Sequence, residues 1–299
     1  MGDFARMLMI HALFHRSWDV ERYFSEPLSQ WQPVAARQQS SGMLKDPIWL
    51  PSNPVFARWQ NSTCDVLDIL HLQANATIAR ANGHEHPAVL HLHMARIVLL
   101  APCKAIVSLA RLLTDSSQQS DITTNAFVAI ETSNIRQWAV GHQYKARLSL
   151  VHAGAIYWHL RRYMIGAFYE APAVALAALT LWAFGSFANT KSLRREPANE
   201  EPTQDDPDSE EMCDIIMLDR PSDDELIQIF IKSGGSMEAR LGGVGNLYDA
   251  EGPEGALLQG RKILMQYENT WGVARDWRIL LERLSACWKA QRLAKGHSA

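Results

Sequence analysis

At 299 residues, 47% hydrophobic and 20% charged, the chain holds too much apolar material for a disordered protein and enough for one large helical domain or two packed subdomains. A formal net charge of -3 and a pI near 6.4 lack the basic excess of a domain that grips nucleic acid by its phosphates. Four scattered cysteines, Cys64, Cys103, Cys213 and Cys287, form no C-x-x-C pair and read as reduced core thiols of an intracellular protein.

Apolar residues recur at helical spacing over 4–24. His11, His15 and Arg16 break that run and no small-residue cleavage site follows, so it does not read as a secretory signal. Arg6 stands where N-myristoylation favours Ser or Thr, and the helix-like start suggests a chain that lacks an upstream part. Pro33, Pro47, Pro51 and Pro54 punctuate a connection over 31–54. A one-sided pattern over 55–82, with Trp59, Val66, Leu67, Leu70, Leu72 and Ala74, predicts a helix stopped at Asn82-Gly83. The run after Pro87 predicts two helical pieces divided by Pro102. Helices are expected over 125–139 and 145–164, separated near Gly141, and over 173–188 after Pro172.

That last segment, AVALAALTLWAFGSFA, is shorter than the roughly 20 residues a bilayer crossing needs, and the expectation is a core helix buried on all sides, anchored by Trp182. The acidic, proline-bearing tract at 191–214 carries almost no apolar side chain and is expected to be a solvated, disordered surface loop. A helix over 223–233, capped by Ser222, and closing helices over 255–267 and 274–294 complete the prediction. The fold class expected is all-α, a large multi-helix domain, with no convincing strand and no internal repeat. Its segments are 1–54 (N-terminal helix and connection), 55–190 (helical core), 191–214 (acidic loop) and 215–299 (C-terminal helices of the same domain).

Histidine is the residue type that most invites a metal: His71, then His84, His86, His91 and His93. His91 and His93, two apart on a helix, point to different faces, and nothing closes a four-ligand set with Cys64 or His71, so no metal site is assigned. GGVGN at 242–246 follows no apolar strand and lacks the Lys-Ser or Lys-Thr of a phosphate loop, so its glycines are read as turn formers. Asp223 and Asp224 directly precede a helix, where negative charge is favourable. In AGAIYWHLRR, helix packing accounts for Tyr157, Trp158 and His159, with Arg161 or Arg162 bound to a buried carboxylate. No G-x-S-x-G, H-E-x-x-H or kinase signature set is present, and no catalytic or cofactor-binding residue is assigned.

Three blocks, VHAGAIYWHLRRYMIGAFYEAPAVALAALTLWAFGSF, IMLDRPSDDELIQIFIKSGGSMEARLGGVGNLYDAEGPEGALLQGRKIL and WGVARDWRILLERL, with HLHMARIVLLAPCKAI upstream, resemble the fungal-specific transcription factor regulatory domain, the middle homology region. The version they resemble is the one in fungal regulators with N-terminal Cys2His2 zinc fingers, and the likeness spans roughly 82–285. It implies a large helical domain in the nucleus that regulates RNA polymerase II transcription through protein partners of the transcription machinery or a second regulator, and it allows a homodimer. Zinc and DNA contact would belong to fingers that these residues do not contain, because neither a C-x-x-C…H-x-x-x-H finger nor a six-cysteine cluster is present. No membrane association is expected. The rival expectation is a diverged helical enzyme or small-molecule-binding protein with a pocket lined by Tyr157, His159, Tyr163, Tyr169 and Glu170.

Overall fold

The computed structural model describes residues 2–25, 50–80, 87–115, 122–188, 214–220, 223–234 and 237–296. The acidic tract over 191–213, the prolines at 33 and 47, the stop at Asn82-Gly83 and the histidines at 84 and 86 lie outside the described residues. Among those described, helix dominates and the fold is all-α, with ten α-helices and one small sheet. The chain divides into two compact units, residues 1–99 and 100–299.

The first unit contains α1 (Asp3–Ser25), α2 (Pro54–Arg80) and nearly all of α3 (Pro87–Leu100). α2 buries Phe56, Gln60, Thr63, Leu67, Leu70 and Ala74, a stripe at spacings of three and four residues that puts one face inward. Leu67, Leu70 and Ala74 pack with Ile10 of α1 and with Ala88, Val89, Leu92, Ala95 and Leu99 of α3. Two polar ties cross this core: Arg96 donates to the Cys64 carbonyl at 2.9 Å and pairs with Asp68, and the Gln60 amide donates to the Leu99 carbonyl.

The chain breaks at Pro102 as expected, and α4 (Cys103–Thr114) opens the second unit. α5 (Ile122–Arg136) does not stop before Gly141; it runs into a π-helical turn over 137–141 that leads to α6 (Gln143–Tyr163). The π turn seats Trp138 in the core, where its indole N–H donates to the Leu100 carbonyl at 3.0 Å. α7 (Glu170–Ala188) starts three residues earlier than the apolar run indicates, with Pro172 inside its first turn, where a missing N–H is tolerated. It packs against α4, α5, α6, α9 (Gly252–Leu264) and α10 (Gly272–Gly296), which accounts for side chains buried all round. α7 is long and apolar enough to cross a membrane by length and composition, yet 78% of that window is buried inside the fold.

Sequence patterning missed a three-stranded sheet, ordered β1-β2-β3. β1 (Ile215–Met217) pairs parallel with β2 (Glu238–Leu241), which pairs antiparallel with β3 (Gly245–Asn246), Arg240 opposite Asn246. Strands of two to four residues fall below the length at which alternation is readable. α8 (Asp224–Ser233) lies between β1 and β2. Its cap is Asp223, whose carboxylate accepts the Glu225 amide at 3.3 Å; the expected Ser222 lies outside the described residues.

Candidate functional site

The corner between α6 and α7 gathers most of the residues that the sequence singles out. After Tyr163 the chain turns through 164–169, with Gly166 at a φ of 74°, a left-handed conformation that glycine adopts without a side-chain clash. Glu170, the first residue of α7, is 1% exposed. A buried carboxylate is costly unless its oxygens find donors. Here the Ile165, Gly166 and Ala167 amides donate to it at 3.0, 3.0 and 3.1 Å. The helix dipole at the start of α7 favours the same charge. From the turn after α9 the buried Tyr267 hydroxyl faces this carboxylate; burial, then the Glu170 charge, push its ionisation up. The Trp271 indole donates to the Gly166 carbonyl at 2.8 Å, and its ring meets Phe168 at 6.1 Å. Glu170 is therefore the anchor of a turn.

The other expected pocket residues divide. His159 (3% exposed) and Tyr163 meet with ring centroids 5.6 Å apart, and Tyr169 stands against Phe168 at 5.5 Å. Burial and the neighbouring Glu170 charge raise the ionisation of Tyr169. Tyr157 points elsewhere: fully buried, it donates to the Ala256 carbonyl of α9 at 3.1 Å, and burial raises its ionisation against the opposing pull of Arg161. The structure thus joins Tyr169 to the Glu170 corner, pairs His159 with Tyr163, and assigns Tyr157 to the contact between α6 and α9.

Of the paired arginines, Arg161 is the one held by a buried carboxylate. Its guanidinium pairs with Asp219, 4% exposed, and donates to the Gly242 carbonyl at 2.8 Å, while the Gly242 amide donates to the same Asp219 oxygen at 2.9 Å. This knot fastens α6 to the sheet. Gly243, with a φ of 76°, lies in the turn between β2 and β3, and Gly245, with a φ of 91°, opens β3 at its end, the turn-forming role expected of GGVGN. Arg162 instead stacks on Trp158, 5.4 Å from the ring centre. Tyr267 and Asp219 were not singled out by the sequence, since each acts across more than fifty residues and carries no local motif.

In the first unit His71 meets His93 edge-on at 5.2 Å, and His11 meets His91 at 4.9 Å. The two helix histidines thus face different partners, and among the described residues no three of His, Cys, Asp and Glu converge as metal ligands would. The chain matches no family model, no curated protein and no solved structure.

Proposed function

We propose that this chain is a regulatory module of a fungal transcription factor, acting through protein contacts while separate zinc modules read DNA in the nucleus. The observation that carries the reading is that the three blocks of family likeness belong to one packed unit. Residues 151–187 supply most of α6 and all but the last residue of α7, 216–264 supply nearly all of the sheet with α8 and α9, and 271–284 supply the first half of α10. α7 lies against both α9 and α10, and α6 against α7 and α8, so what the blocks share is an interior. A packed helical unit suits a module that works by presenting a surface and shifting between bound states.

The test is a reporter assay with the full chain fused to an unrelated DNA-binding domain and a constitutive activating segment. The expected result is a several-fold change in output relative to the fusion without the chain. Trp182→Ala should abolish that change: Trp182 is fully buried, and truncating such a side chain costs about 3–5 kcal/mol. Unchanged output from a chain whose circular dichroism confirms folding would overturn the proposal. Retained thermal stability in Trp182→Ala would overturn the placement of that residue as the core anchor.

A further inference from the structure

The Glu170 corner presents bulky apolar side chains to water. Ile165 and Phe168 are 66% and 62% exposed, with Met164 beside them at 38% and Met265, in the turn that carries Tyr267 to Glu170, at 55%. A loop that merely connected two helices would have no need of such a display. Three hydrogen bonds donated by backbone amides to Glu170, the Trp271 clamp and the left-handed Gly166 nonetheless hold it in one shape. Fixing a surface before binding lowers the ordering cost of association.

On the segments that meet at this corner, exposed bases outnumber exposed acids. Between Glu131 and Glu170 the chain has no acidic residue. Arg162, in the last turn of α6, is exposed and makes no ion pair among the described residues. Lys262, near the end of α9, and Arg275, in the first turn of α10, are exposed as well. Glu268 is closed on Arg278, so Asp276 is the exposed carboxylate that offsets these bases among the described residues of 160–170 and 261–276.

We infer that the 164–168 loop, with Arg162 and Lys262, is a docking site for an acidic amphipathic segment of a partner protein, its apolar side chains on Ile165 and Phe168 and its carboxylates toward the bases. A second copy of the chain would set this basic surface against itself, which like-charge repulsion disfavours. Three cations on a chain of net charge -3 are too few to hold a nucleic-acid backbone. A short helix with acids on one side and Leu or Phe at i, i+4 and i+7 meets both the charge and the apolar display. The inference deepens the regulatory reading by naming its partner's chemistry, and rests on that reading only for its setting.

The experiment is fluorescence anisotropy with the full chain and a labelled synthetic helix of that design, against a control peptide with lysines in place of the acids. Expected is micromolar binding of the acidic peptide alone. It should weaken at least about tenfold in Ile165→Asp/Phe168→Asp and several-fold in Arg162→Glu, with its salt dependence reduced in the latter. Ile165 has no part in the Trp271 clamp, so Ile165→Asp alone should melt near wild type and still weaken binding, which separates loss of the surface from loss of the Phe168 contact with Trp271 in the double variant. Equal binding by wild type and the double aspartate variant, or by the lysine peptide, overturns the inference. So does sedimentation as a dimer that the double variant abolishes, since the occupant would then be a second copy. A responsive reporter with no peptide binding removes this inference alone, whereas peptide binding with a silent reporter removes the regulatory reading and leaves the surface.

Discussion

At the scale of single residues, several buried polar groups meet partners far away in the chain: Arg161 pairs with Asp219, and Tyr157 donates to the Ala256 carbonyl. Glu170 holds amides three to five residues back, but the hydroxyl that faces it comes from Tyr267. This arrangement ties stability to alkaline pH. Tyr157 and Tyr267 both ionise above their ordinary value of 10.0 in the fold, because burial disfavours the phenolate. Below pH 10 both states keep their protons; above it the unfolded chain loses them first, so stability falls as pH rises, by at most about 1.4 kcal/mol per pH unit for each tyrosine. Urea unfolding between pH 9 and 11 should display this fall, and Tyr267→Phe should make it shallower by about one tyrosine's share. An identical slope in the variant would mean that Tyr267 is not shielded as described.

At the scale of elements, small residues decide how closely helix and sheet approach. A Cβ on Gly154 of α6 would lie 2.1 Å from the Leu218 carbonyl oxygen and 2.4 Å from its carbon, just beyond β1. Those are backbone atoms, which cannot swing aside as a flexible side chain can. Gly154→Ala is therefore expected to destabilise by about 2 kcal/mol or more, although alanine is the better helix former. Asp223→Ala, which removes an exposed cap from α8, should cost about 1 kcal/mol. Thermal melts of the two variants would rank them, and a harmless Gly154→Ala would contradict the close seat of α6 on the strand end.

At the scale of the whole molecule, residues 100–299 form a unit with its own interior, built around α7. A chain cut to that unit should keep its helical circular dichroism and melt in one cooperative step. A broad, uncooperative melt would show that the unit depends on residues 1–99. The apolar run pointed to a core helix, and the neighbours that bury 78% of the 18-residue apolar window of α7 are supplied by the fold.

Helix identity was legible because period and punctuation are local: α1, the division at Pro102, α6 and the apolar α7 all follow from spacing over a few turns. Local chemistry also marked the acid-rich start of α8, the turn glycines 243 and 245, and an arginine of the 161–162 pair destined for a buried carboxylate. What it could not mark were the sheet, whose strands are too short to alternate, and the partners Asp219 and Tyr267, which meet Arg161 and Glu170 only once helices pack. Tyr157 and Glu170 read alike in sequence, polar side chains near one helix junction. Packing separated them: the Tyr157 hydroxyl meets the Ala256 carbonyl of α9, and the Glu170 carboxylate meets three amides of the turn before it.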